Sequence, residues 1–264
     1  MNDLRLLLRL LGVSVRAQTQ YRASFAMLAI GQMLTSGADF LGLWAVFARF
    51  GSLRGWTMAE VGLLYGMVHV AFAFAEAAGR GFDLFPGMVR TGEFDRMLLR
   101  PRGTALQIAG LELQLMRIGR LAQGLAVLIW AMASVGVTWT AAKAALVIAG
   151  IASGAAIFYG LFVLQATAAF WTVETLELMN TVTYGGTEAA SYPLTIYRPW
   201  FRRFFTFVVP LACINLLPAG IILNRGGVAP GPLTAVAPAA GLLFLWVALS
   251  VWRLGERRYL STGS

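Results

Sequence analysis

Long apolar runs recur along this chain, separated by short polar stretches in which arginine dominates. A membrane-spanning helix needs about 20 mostly apolar residues. Six stretches reach that length: 24–48, 59–78, 118–137, 144–170, 204–223 and 233–252. In the third, Glu112, Arg117 and Arg120 precede the clean apolar run, so its helix is expected to begin in the cytoplasm and snorkel inward. Pro210 and Pro218 in the fifth predict a kinked span, or a span plus a re-entrant piece. Within residues 1–22, Leu4, Leu7, Leu8, Leu11 and Val15 form one helical stripe, and Arg5, Arg9 and Arg16 form another. Such a two-faced helix lies on a membrane surface. The whole pattern predicts an all-α polytopic membrane protein, residues 1–264 forming a single domain without internal repeats.

Composition excludes a soluble alternative. Apolar and aromatic residues make up 58% of the chain, charged residues 12%, and the mean hydropathy is +0.71. Soluble domains carry roughly 45–50% apolar and about 25% charged residues. The net charge of +9 adds direction. Seventeen of the 21 Lys and Arg residues fall on one side of the six spans, and Arg49, Arg54, Lys143 and Arg225 on the other. The positive-inside rule makes the basic side cytoplasmic. Both termini and the loops 80–103 and 172–203 are then expected inside the cell inner (plasma) membrane. The basic excess reads as attraction to anionic lipid, not to nucleic acid. In the second loop, Tyr197, Arg198, Trp200, Arg202 and Arg203 read as an interface anchor, and residues 172–203 as an interfacial hairpin in preference to a second contact with a soluble partner.

Candidate chemistry is sparse. His69 is the only histidine and Cys213 the only cysteine, which rules out multi-histidine metal sites and intrachain disulfides. Cys213 sits in an apolar run and reads as packing. The pairs Gly62/Gly66 and Gly150/Gly154 suit close helix approach. Asp39 and His69 lie at matching depths, about 14–15 Å from the outer ends of spans one and two at 1.5 Å per residue. A structural Asp39–His69 hydrogen bond is therefore expected. Glu76 is expected to pair with Arg80, one helical turn away. No P-loop sequence is present, and the single lysine, Lys143, lies outside. The chain is expected to bind no cofactor and to catalyse no reaction.

The most informative stretch is Gly87–Pro101. Thr91 suits a helix N-cap, Glu93 and Asp95 suit the positive end of a helix, and Pro101 stops it. Phe94, Met97 and Leu98 share one face. This short amphipathic helix could lie on lipid or press its apolar face into a soluble partner.

At these residues the sequence resembles an ABC-type-2 transporter permease family. Arg90-Thr-Gly-Glu-Phe-Asp-Arg-Met-Leu-Leu-Arg-Pro101 is similar to that family's cytoplasmic loop, and Ser191–Trp200, Phe207–Ala212 and Asn215–Pro218 form a second similar region. The resemblance implies a coupling helix seated in a cleft of a separate ATP-binding-cassette ATPase, with Glu93, Phe94, Asp95, Leu98, Arg100 and Pro101 as the contact or its frame. It implies two ATPase copies carrying ATP and Mg, and a second permease, identical or paralogous. Substrate, expected to be apolar or amphiphilic, would be exported between the permeases. The alternative is an ion-coupled secondary transporter or channel using Asp39, His69, Glu76 and Glu112.

Overall fold

The computed structural model describes residues 3–171, 176–214, 216–225 and 232–259, with side chains described from Arg9 onward except at 176–180 and 232–236. The chain order is α1 (Asp3–Thr19), α2 (Arg22–Phe50), α3 (Met58–Arg90), α4 (Glu93–Leu98), α5 (Thr104–Ala109), α6 (Ile118–Ser134) and α7 (Ala141–Ala168). It continues with α8 (Leu176–Ala190), α9 (Pro199–Arg203), α10 (Leu216–Ile222) and α11 (Pro232–Glu256). Among the described residues no strand forms; one isolated bridge joins Leu53 and Trp56.

Five helical segments are long and apolar enough to cross a membrane: Arg22–Phe50, Met58–Arg90, Leu115–Ser134, Ala141–Ala168 and Ala237–Glu256. A sixth crossing arises when Pro199–Val208 and Leu211–Ile222, bent by 78°, count as one broken span. The chain is thus an all-α polytopic membrane protein.

α3 is the central post. A capping box starts it: Thr57 accepts from the Glu60 backbone N–H, and the Glu60 carboxylate accepts from the Thr57 N–H at 2.7 Å. From Val61 to Ala73 every residue is buried, as expected of a helix apolar on all sides. Small residues let its neighbours close in. A Cβ on Gly66 would lie 2.7 Å from Leu128 of α6, and one on Gly154 of α7 2.9 Å from Ala71 of α3. Gly62/Gly66 and Gly150/Gly154 therefore pack helices together, as their spacing suggests.

These contacts also fix direction. Gly150 and Gly154 meet Met67 and Ala71, and Gly79 meets Phe162, so α3 and α7 run parallel. Gly241 meets Ser153 and Gly255 meets Thr167 and Phe170, so α7 and α11 run parallel too. The chain between α7 and α11 must therefore travel back the other way.

That return path differs from expectation. Residues 172–203 are anticipated as a hairpin outside the bundle; instead α8 enters it. The Tyr184 ring lies 5.5 Å from Phe72 of α3, and Gly186 abuts Leu211 and Phe205. The alternating small and polar residues of α8 (Thr183, Gly186, Thr187, Ala190) fit a tight groove yet read as loop in a hydropathy scan. After α9 comes a π-helical turn over Phe204–Val208, then a short 3-10 turn at Leu211–Cys213, and α10 completes the return. Arg198, Trp200, Arg202 and Arg203 lie at its less buried flank. Cys213 is buried, as its apolar surroundings suggest. Glu174 lies outside the described residues.

Candidate functional site

Three groups of residues stand out: an exposed tip at the arginine-rich end, a charged cluster inside the bundle, and a clasp at the opposite end.

The tip begins where α3 stops. Thr91 closes α3 rather than opening the next helix, and Gly92, at φ +71°, makes the reversal that a residue with a Cβ adopts only under strain. α4 then runs for six residues, Glu93–Leu98. Its apolar face does not point away from the protein. Phe94 is 0% exposed and Met97 is buried too. Phe94 packs at 5.0 Å on Phe85 of α3, 5.6 Å on Phe170 beyond α7 and 5.0 Å on Tyr259 beyond α11. Trp252 of α11 closes the box at 4.7 Å from Phe85 and 5.0 Å from Phe170. Burial, reinforced by the Asp95 carboxylate, pushes the Tyr259 phenol pKa up.

The expectation that Phe94 anchors a partner is therefore corrected. Its ring is too large and apolar to stay out of the adjacent aromatic core, so it roots the tip in three crossing helices. What remains outside is Glu93, Leu98, Leu99, Arg100 and Pro101, with Leu99 85% exposed. Gln107 of α5 holds this loop in shape by donating Nε2 to the Met97 carbonyl at 3.1 Å and the Arg102 carbonyl at 3.0 Å. Trp252 Nε1 donates to Thr104 Oγ1 at 3.0 Å, tying α5 to the same box. Of the six residues expected at the coupling site, five sit together on the tip and Phe94 forms its root.

Inside the bundle, Glu76 does not pair with Arg80. Its carboxylate faces Arg117 Nη2, in the turn that leads into α6, and Arg120 Nη1 of α6, each at 3.1 Å. Arg80 instead lies 3.9 Å from Asp83. Arg117 also donates to Gln32 of α2 at 2.8 Å, and Arg120 to Ser36 of α2 at 3.3 Å. The Arg120 guanidinium sits 5.1 Å over the Phe72 ring. One carboxylate thus gathers α2, α3 and α6. A buried carboxylate prefers a second helix that offers two guanidiniums to a single arginine at a helix end.

Nor does the structure join Asp39 to His69. His69 is buried, stacked 3.8 Å from the Tyr65 ring, and neither ring nitrogen has a hydrogen-bond partner among the described residues. Asp39 is exposed on α2. The two residues share a depth but not a face: Tyr65, whose hydroxyl donates to the Ser36 carbonyl at 3.0 Å, fills the α2–α3 contact.

At the opposite end, Arg225 reaches back to α3. It donates to both Glu60 oxygens at 2.9 and 2.5 Å and to the Gly55 carbonyl at 2.7 Å, and stacks 4.4 Å over Trp56. This clasp joins the end of the broken return path to the α2–α3 turn. Among the described residues no three His, Cys, Asp or Glu side chains group to hold a metal.

Among the described residues, none of these three groups pairs a nucleophile with a base. A family model described as ABC-2 family transporter protein matches residues 33–263, from mid-α2 past the end of α11. A search of curated proteins and one of solved structures each find no match. With the match covering residues 33–263 of 264, and with five or six helical segments long and apolar enough to cross a membrane, the chain belongs to the ABC-2 transporter family and is a permease of the ATP-binding-cassette type.

Proposed function

We propose that this permease couples to a separate ATP-binding-cassette ATPase through the exposed tip Leu98–Pro101, with Glu93 and Asp95 orienting the contact. The observation that carries the reading is the pairing of opposite properties in one short helix. Phe94 and Met97 are buried among α3, α7 and α11, while the residues that follow them are bare. A partner pressing on Leu99 moves an element welded to three crossing helices. ATP binding can bias the bundle only through contacts that differ between its states, and the tip supplies one. The arginine-rich end is then cytoplasmic, facing ATP and Mg held by the partner.

The complex contains two permeases and two ATPases, and an apolar or amphiphilic compound leaves the cell between the permeases. α2 supports this arrangement. It is largely uncovered: Leu34, Leu41 and Trp44 are exposed, and so, elsewhere on its surface, is Asp39. A carboxylate facing lipid is costly, so this helix suits a second permease or a wet pathway. The ion-coupled alternative loses Glu76, which two arginines already engage.

The test uses the full-length chain, tagged and co-expressed with a candidate ATP-binding-cassette ATPase subunit from the same genome. Wild type is expected to retain the ATPase through purification, and Leu99→Asp to lose it while remaining folded. Full retention by Leu99→Asp would sink the proposed docking surface.

A further inference from the structure

Between α1 and the loop after α4 lies a cavity of about 570 Å3. Its lining includes the apolar Leu10, Val13 and Leu111 and the charged Arg100, Arg102 and Glu112. α1 is pinned here rather than loosely laid down. Ser14 Oγ accepts from the Leu113 N–H at 3.0 Å, and Gln18 Oε1 accepts from the Leu115 N–H at 2.9 Å. Gln18 Nε2 also donates to the Leu113 carbonyl. Leu10 closes over Gly110, where a Cβ would come within 2.6 Å of Leu10 Cδ1. Ser14 and Gln18 thus hold the chain that leads into α6, and on the same face of α1 Leu10, Val13 and Ala17 give the cavity an apolar lining.

We propose that this cavity binds an anionic phospholipid of the adjoining leaflet, with its phosphate between Arg100 and Arg102 and its acyl chain along Leu10, Val13 and Leu111. Guanidinium pairs recognise phosphate oxygens through fork-shaped, charge-assisted hydrogen bonds. An amphipathic helix with exposed Arg9 and Arg16 belongs in the headgroup layer, where the acyl chain is at hand. Charge selects the headgroup, because two arginines outweigh Glu112 in the lining. The apolar wall selects a lipid over a free anion, which would leave that wall wet. Arg100 also belongs to the docking tip, so an occupied cavity braces the loop that meets the ATPase. The inference stands without that partner and is tested on the permease alone.

The experiment is native mass spectrometry of the full-length permease in neutral detergent, with phosphatidylglycerol, phosphatidylcholine and millimolar inorganic phosphate as probes. A basic residue near an anionic surface is worth about a fivefold gain in binding. Phosphatidylglycerol is expected to be retained about tenfold or more over phosphatidylcholine. The double variant Arg100→Gln/Arg102→Gln is expected to lose about tenfold or more of that retention. Because misfolding could produce the same loss, Glu112→Gln is measured beside it and is expected to gain about fivefold. Inorganic phosphate should leave the lipid in place. Equal retention of the two lipids, an unchanged double variant, no gain from Glu112→Gln, or displacement by phosphate would each overturn the proposal, the last by showing a free-anion site.

Discussion

The two ends of the bundle are fastened in opposite ways. At the arginine-rich end the fastening is a box of rings, Phe85, Phe94, Phe170, Trp252 and Tyr259, whose centroids lie 4.7–5.9 Å apart where they touch. At the other end a single arginine, Arg225, clips the broken return path to Glu60, Gly55 and Trp56. Ring packing is indifferent to water and salt and transmits displacement, since close-packed interiors yield little. A partly exposed ion pair such as Arg225–Glu60 exchanges its partners for water at smaller cost. Between the two ends, Glu76 with Arg117 and Arg120 acts as the pin that keeps α2, α3 and α6 in register.

That contrast can be broken from the middle outward. Glu76→Ala strips two buried guanidiniums of their counter-charge and is expected to destabilise by about 4–5 kcal/mol. Melting of the detergent-purified protein should show it as the largest loss of the series. Phe94→Ala empties the box and is expected to cost roughly 3–4 kcal/mol. It should also uncouple: ATPase activity in the reconstituted complex should stop responding to the permease even where assembly survives. A fully stable Phe94→Ala protein would show that the box is not the fastening.

At the far end the expected effects shrink. Arg225→Gln removes an ion pair and a cation–π contact, worth about 1–2 kcal/mol together. Its signature is access rather than melting: a cysteine placed at Asn224 should label faster in the variant, and high salt should narrow the difference in wild type. Leu99→Ala, on the exposed tip, should leave stability within about 0.5 kcal/mol of wild type. Only its ATPase coupling should fall. If Leu99→Ala melted like Phe94→Ala, root and tip would be one unit and the contrast would dissolve.

Much of this architecture was legible in hydropathy alone. Helices α2, α6, α7 and α11 start and end within a few residues of the expected spans, because uninterrupted apolar length is a one-dimensional property. α3 runs on to Arg90, well past the expected end at residue 78, since Phe82, Phe85 and Val89 keep an apolar stripe going below the last continuous run. α8 escaped notice for the opposite reason. Its burial depends on small residues that fit a groove, and a groove belongs to the tertiary structure, not to any window of sequence.

The site divides along the same line. The tip residues Glu93–Pro101 announce themselves by caps, charges and a proline. Which way Phe94 faces could not be read, because a helix of six residues has an apolar face but no knowledge of which neighbour will cover it. Glu76 had a detectable signal that local reasoning passed over: two arginines one turn apart, at the start of the helix that packs antiparallel beside it. Asp39 and His69 show the limit of depth arithmetic. Equal depth is necessary for a pair, but Tyr65 occupies the space between their helices.

The parallel course of α7 and α11 bears on how the protein is made. Neither Pro199–Val208 nor Leu211–Ile222 is long enough to cross a bilayer by itself. While the ribosome delivers the chain in order, this broken stretch emerges before α11, the helix on which α7 closes through Gly160 and Gly241. Its integration therefore waits on a downstream sequence, and the last third of the protein enters the membrane as one assembly event rather than as successive helices. Truncation before α11 should leave residues 176–225 without a settled topology, however apolar they are.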